Sequence, residues 1–302
     1  MIRNSWMAGT LAIVLSAGAA LAQTAPQAQT APAPAPPAAV PQAAVPQSDM
    51  LLATLWTQRS VEFKANALTA FTLARYRLDE ALADKKWTAA PGEQTGDFAN
   101  LPPAVVLDVD ETLVDNSAYQ VWMMRADQSF STKTWNQFCA AQMSTAIPGA
   151  VEFTKYADSK GVKVFYVSNR GVETEADTRK NMEKLGFPMG GNVDVFLLQN
   201  KQQGWGSAKS TRRAVIAKDY RVLLNVGDNF GDFDDRYRGS EADRLKAFEE
   251  HRERWGREWI MIANPTYGSF DTAPYGHDFK KSRDEQRKAK IDVLEGWSGP
   301  KQ

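Results

Sequence analysis

Apolar positions along the 302-residue chain fall into two rhythms. Trp56, Phe63, Ala67, Phe71, Ala74, Leu78 and Leu82 recur at helical spacing with charged residues between them, which predicts one long amphipathic helix ending before Pro91. Five short runs rich in β-formers follow, at 105–109, 164–167, 195–198, 222–226 and 259–263. Runs that are apolar on both faces suit strands covered from both sides. Helical patterns fill the intervals, at 149–159, 174–185, 209–219 and 240–254. Strands alternating with helices predict an α/β fold with a doubly wound parallel sheet, whose ligands bind beyond the carboxyl ends of the strands. The stretch 115–148 interrupts this alternation and carries Tyr119, Trp122, Met123, Met124, Phe130, Trp135 and Phe138. With residues from about 49 to 90 it is expected to form a smaller helical lobe beside the α/β core of one domain spanning 49–302.

The first 48 residues read differently. Arg3 supplies a positive start, residues 11–15 and the alanines after them form a short apolar stretch, and Ala20-Leu21-Ala22 offers a cleavage site. This is the pattern of a signal peptide over 1–22, too short and too rich in small residues for a comfortable membrane span. No cysteine follows the cleavage site, so no lipid anchor is expected, and the mature chain should begin at Gln23 in the periplasm or the medium. Residues 23–48 are mostly alanine, proline and glutamine and cannot bury enough apolar surface to offset their ordering entropy, so they are expected to be a disordered linker.

Composition narrows the function. Aspartate plus glutamate equal lysine plus arginine, 36 against 36, which argues against a general binder of nucleic-acid polymers. Cys139 is the sole cysteine, which excludes an intrachain disulfide and any multi-cysteine zinc site. It is expected to be a small core residue, since Thr145 stands where a C-x5-R phosphatase would need arginine.

The candidate chemistry sits where the apolar runs end. The first run leads into Asp108-Val109-Asp110-Glu111-Thr112, the second into Ser168-Asn169-Arg170, and the fourth into Gly227-Asp228-Asn229-Phe230-Gly231-Asp232. Paired carboxylates at a strand end repel each other and resist desolvation, a cost that a metal ion or a phosphoryl group would relieve. Each ending also has an ordinary structural reading, as an acidic turn, a helix cap or a tight turn. Three polar endings on one sheet edge favour a site. Lys209 opens a helix between the second and fourth endings and can reach back to that edge.

Together these segments resemble the class C bacterial acid phosphatases, within the haloacid dehalogenase superfamily of aspartate-nucleophile phosphohydrolases. The D-x-D-x-T motif is Asp108 to Thr112, the hydroxyl motif is Ser168 in Val167-Ser168-Asn169-Arg170, the lysine motif is Lys209, and the acidic motif starts at Gly227-Asp228. The likeness runs from about residue 55 to 275. It implies a magnesium-dependent, exported phosphatase acting on small phosphomonoesters, with nucleoside 5′-monophosphates as one substrate class. Asp108 would be the nucleophile, Asp110 the acid and base, and Lys209 the charge-neutralising cation. Ser168 and Asn169 would hold phosphate oxygens. The Mg²⁺ ligands would be the Asp108 carboxylate, the Asp110 carbonyl and Asp228, with Asp232 behind them. Trp135 and Tyr267 would be aromatic walls for the leaving group, although the aromatic residues of 115–148 also suit a lobe core. Many relatives are lipoproteins, which this chain does not match, and many carry threonine where Ser168 stands.

Other phosphatase chemistries fit worse. His251 and His277 lack an R-H-G-x-R-x-P context, Leu113 stands where an EF-hand loop needs glycine, and no G-x-x-x-x-G-K is present. A phosphotransferase sharing the aspartyl-phosphate stays open, as does a non-catalytic binding or storage protein on the same fold. The sequence leaves open whether the chain forms a homodimer.

Overall fold

The computed structural model describes residues 47–299. The expected signal peptide and all but the last two residues of the expected linker lie outside these residues. In chain order come helices α1 (Leu51–Arg59) and α2 (Val61–Ala83), strands β1 (Pro103–Leu107) and β2 (Val114–Asp115), helices α3 (Ser117–Ala126) and α4 (Thr132–Ala140), and strand β3 (Thr145–Ala146). Then follow α5 (Ala150–Ser159), β4 (Lys163–Gly171), α6 (Glu175–Leu185), β5 (Phe196–Gln199), α7 (Ser210–Asp219), β6 (Arg221–Gly227), α8 (Glu241–Glu250), β7 (Trp259–Met261), α9 (Ser269–Thr272) and α10 (Arg283–Asp292).

The five longer strands form one parallel sheet in the order β5-β4-β1-β6-β7. The order reverses at β1, so the crevice at its carboxyl end is the natural ligand site of such a sheet. All of β6, and β1 from Ala104 onward, is buried. Successive side chains of a strand point to opposite faces, so both faces must be covered, as the two-sided apolar runs require. β1 ends at Leu107 rather than at 109. Asp108 continues the ladder by donating its N–H to the Val226 carbonyl at 3.0 Å, and the chain then turns, with the Leu113 and Val114 amides both donating to the Val109 carbonyl.

The single long helix expected at the N-terminus is two helices. Ser60 takes an extended conformation between them and its hydroxyl accepts from the Phe63 amide at 3.0 Å, capping α2. The apolar periodicity runs across this break because a single capping residue barely alters the phase of the stripe. Within the segments expected to form the helical lobe, α2 packs on α5, β6 and β7, whereas α1 packs on α3. The insertion leaves and rejoins the core through the antiparallel β2–β3 pair, in which Val114 faces Ala146 and Asp115 faces Thr145. The helical pattern expected over 240–254 ends at Glu250 and continues as a 3₁₀ turn over Arg252–Arg254. Cys139 is buried, and burial pushes its thiol up to about 11, so it behaves as a small core residue.

Candidate active site

The parallel sheet brings the carboxyl ends of β1, β4 and β6 side by side, and with them Asp108, Ser168 and Asp228. Lys209 stands at the N-cap of α7. Its ammonium bridges two carboxylates, bonding Asp108 Oδ1 and Asp232 Oδ1, the latter at 2.6 Å. All three side chains are under 10% exposed. Burial acts against the Lys209 charge, but Asp108 and Asp232 outweigh it and hold the lysine above its ordinary pKa. Burial likewise pushes Asp108 up to about 6, against the pull of Lys209 and helped by repulsion from Asp232 and Asp110.

Asp228 is held from both sides. Thr112 Oγ1 donates to its Oδ1 at 2.9 Å and Asn264 Nδ2 to its Oδ2 at 2.8 Å. The Thr112 hydroxyl also lies 3.3 Å from Asp108 Oδ2, which links the two carboxylates through one side chain. Burial and the nearby Asp232 and Asp108 raise Asp228 well above the usual carboxylate range. Asp232 is fixed by the Asn229 amide, which donates to its Oδ2 at 2.9 Å. Gly227 makes this approach possible, because a Cβ there would stand 2.3 Å from Asp232 Oδ2.

One oxygen from each of Asp108, Asp228 and Asp232 lies within 4.8 Å of the others. Three carboxylates against the single Lys209 ammonium leave two negative charges uncompensated when all are ionised. That deficit in a largely buried setting, met only by hard oxygen donors, suits a divalent cation.

Asp110 faces a different set of groups. Its Oδ1 accepts from Arg170 Nε at 2.9 Å and Asn116 Nδ2 at 2.8 Å, and pairs with Arg170 Nη2 at 2.8 Å. Its Oδ2 accepts from the Ser168 hydroxyl at 3.3 Å. The next residue, Glu111, adopts a left-handed backbone with φ of 56°. This is uncommon for a residue with a Cβ and marks a conformation held by its surroundings. Its buried carboxyl accepts from the Asn116 amide at 3.0 Å and from the Tyr267 hydroxyl.

The residues expected from the sequence are thus distributed unevenly. Asp108, Asp228, Asp232 and Lys209 form one cluster, and Asp110 and Ser168 meet beside it. The Asn169 side chain is exposed and turned elsewhere, accepting from Arg212 Nη2 at 2.6 Å and donating to the Ser207 carbonyl at 3.0 Å. The Trp135 ring packs with Tyr119, Phe130 and Phe138, and the Arg170 guanidinium lies 5.4 Å from its centroid. Tyr267 presents a partly exposed ring while its hydroxyl is tied to Glu111. Four contributors had no role in the sequence reading: Arg170, Asn116, Glu111 and Asn264. Arg170 and Glu111 lie inside the motifs at the strand ends, so the position was visible, but their buried partners were not.

Residues 13–270 match the family model described as HAD superfamily, subfamily IIIB (acid phosphatase). The structure is similar to that of the class C acid phosphatase from Bacillus anthracis, at 32% identity and a TM-score of 0.73, covering 82% of this chain and 98% of that one. The same Bacillus anthracis enzyme with tungstate bound matches at 32% identity and a TM-score of 0.72 over the same shares of the two chains. The chain therefore belongs to the class C acid phosphatases of the haloacid dehalogenase superfamily, enzymes that hydrolyse phosphate monoesters.

Proposed function

We propose that this protein is an exported, magnesium-dependent acid phosphatase that hydrolyses small phosphomonoesters, nucleoside 5′-monophosphates among them, through an aspartyl-phosphate. The observation that carries the reading is the Asp108–Lys209–Asp232 bridge at the switch point of the sheet, with Asp228 beside it. Phosphate monoesters are kinetically inert, so their hydrolysis needs concentrated charge stabilisation at a fixed place.

In the first step an Asp108 oxygen bonds to phosphorus as the bond from phosphorus to the leaving oxygen breaks, and Asp110 gives its proton to that oxygen. In the second, Asp110 takes a proton from water, the water oxygen bonds to phosphorus, and Asp108 is released. Lys209 touches the Asp108 carboxylate, so any phosphoryl group brought to Asp108 meets that ammonium. Ser168 stands beside Asp110, and rotation of its hydroxyl away from Asp110 Oδ2 would turn it toward a phosphate oxygen. Asp108, Asp228 and Asp232 are the residues that would hold Mg²⁺. When bound, the ion supplies positive charge that offsets the repulsion between Asp108 and the phosphate. Tungstate bound to the Bacillus anthracis relative supports a site for a tetrahedral oxyanion. Tyr267, with its ring partly exposed and its hydroxyl anchored beside Asp110, supports a flat leaving group; Trp135 is the second candidate wall.

The test is a panel of phosphomonoesters assayed with Mg²⁺ and with chelator between about pH 4 and 8, a span that brackets the raised pKa of Asp108, about 6. Saturable, metal-dependent turnover that includes nucleoside 5′-monophosphates is expected. A folded protein with no turnover on any ester would overturn the reading in favour of a binding protein. The intact mass of the exported protein should correspond to a chain beginning at Gln23, and a mass retaining residues 1–22 would refute cleavage there.

A further inference from the structure

Arg170 is 2% exposed, and its guanidinium has none of the roles assigned above. Its donors are spread over a ring of fixed acceptors. Nε and Nη2 grip Asp110 Oδ1, Nη1 donates to Thr178 Oγ1 at 3.1 Å, and Nη2 also reaches Asn116 Oδ1 at 3.2 Å and Ser144 Oγ at 3.3 Å. Ser144 in turn donates to Asn116 Oδ1 at 2.5 Å. The Trp135 ring lies over the guanidinium. A planar fork with every edge engaged has a single orientation, and it transmits that orientation to the carboxyl it grips.

The two oxygens of Asp110 are consequently unequal. Oδ1 accepts from Arg170 Nε at 2.9 Å and Asn116 Nδ2 at 2.8 Å, and Arg170 Nη2 stands 2.8 Å away as its ion-pair partner. Oδ2 has only the Ser168 hydroxyl, at 3.3 Å. A carboxyl oxygen held by two N–H donors and a third arginine nitrogen has less room for a proton of its own than Oδ2, which meets only one long hydroxyl contact. We propose that Arg170 is a positioning residue that locks the Asp110 carboxyl against rotation, so that the proton given to the leaving oxygen is carried on Oδ2, the oxygen beside Ser168. The inference rests on the acid–base role of Asp110 argued above. In the step it governs, the Oδ2–H bond breaks, a proton passes to the departing oxygen as the phosphorus–oxygen bond opens, and Asp110 is left as a carboxylate paired with Arg170.

Dependence on the leaving group separates this role from a structural one. Benzyl phosphate and para-nitrophenyl phosphate both carry a ring, but the benzyl alkoxide is strongly basic and needs the proton, whereas the nitrophenolate leaves without it. kcat/KM includes departure of the leaving group and excludes the later hydrolysis, so it reports Asp110 as acid and not as base. With Mg²⁺ present, Arg170→Met is expected to lose about 10²-fold on benzyl phosphate, within the range of a general acid's contribution, and less than about tenfold on the nitrophenyl ester. Arg170→Lys should recover part of the difference. Thr178→Val, which touches Arg170 but not Asp110, should show the same bias at smaller size. Melting temperatures identify any variant that fails to fold; if Arg170→Met does, the other two decide. Asp110→Asn serves as the reference. Equal losses on both esters in the Arg170 and Thr178 variants, with a biased loss in Asp110→Asn, would overturn the positioning role alone. Equal losses in Asp110→Asn would overturn the acid role and this inference with it.

Discussion

Glu111 offers a quantitative test of the electrostatics beside Asp108 and Asp110. Its carboxyl is buried next to Asp110, and burial first, then that neighbouring charge, push it from 4.5 to about 8, against the hydrogen bonds from Tyr267 and Asn116. A raised pKa means that the folded protein keeps a proton which the unfolded chain releases. The stabilisation is complete below about pH 4.5, falls as pH rises, and is gone above about pH 8. At about 1.4 kcal/mol per pH unit, the loss across that window is on the order of 5 kcal/mol. For a domain of this size this corresponds to a fall in Tm of roughly 10–20 °C. Glu111→Gln mimics the protonated carboxyl: its carbonyl can still accept from the Asn116 amide, and its amide can donate to the Tyr267 oxygen. The variant should therefore lack this share of the pH dependence and be the more stable protein at pH 8. The assay is Tm against pH for both proteins in chelator, so that metal binding adds no pH dependence of its own. Asp108 and Asp228 remain in both, so the difference between the curves reports Glu111 together with the push its charge exerts on Asp228. Parallel curves from pH 4.5 to 8 would refute the reasoning and show a Glu111 charge stabilised by its surroundings.

Three further outcomes are expected. Asp108→Asn should fold with near-native Tm and lose nearly all turnover, since an amide oxygen is a poor nucleophile toward phosphorus; wild-type rates in the folded variant would exclude the aspartyl-phosphate. Gly227→Ala places a Cβ 2.3 Å from Asp232 Oδ2 and must displace that carboxylate, so Mg²⁺ affinity measured by calorimetry should fall at least about tenfold, and unchanged affinity would mean that Asp232 takes no part in holding the ion. Tyr267→Ala should lower kcat/KM for a nucleoside 5′-monophosphate by about ten- to a hundredfold relative to a small aliphatic phosphate, the size of one base–aromatic stack, while Tyr267→Phe keeps the preference. Equal losses on the two substrates would leave no nucleobase wall there, and the same comparison in Trp135→Ala separates a wall from a ring that serves only its aromatic cluster.

The strands were legible because a buried parallel strand leaves a two-sided apolar run, and such a pattern owes little to its surroundings. The break at Ser60 was hidden, since one residue of extended backbone barely shifts a helical stripe and a capping serine looks like any polar surface position. The strand ends announced Asp108, Ser168 and Asp228, because chemistry in such a sheet must lie where the strands stop.

Pairing was decided elsewhere. Lys209 is 101 residues from Asp108 and 23 from Asp232, and no local spacing states that one ammonium will sit between them. Arg170 read as one more charged residue at a strand end. Its role follows from Asp110, Asn116, Ser144 and Thr178, which come from four segments and meet only when β1, β4, the β2–β3 pair and α6 pack together. Glu111 and Tyr267, 156 residues apart, are a further case. The sequence by itself determined which residue types stand at the active edge, because periodicity and motif are properties of neighbours along the chain. Which oxygen of Asp110 is the less engaged, which carboxyls have their pKa raised by burial and which rings are exposed were decided by the tertiary structure alone, because burial and hydrogen bonding depend on neighbours in space.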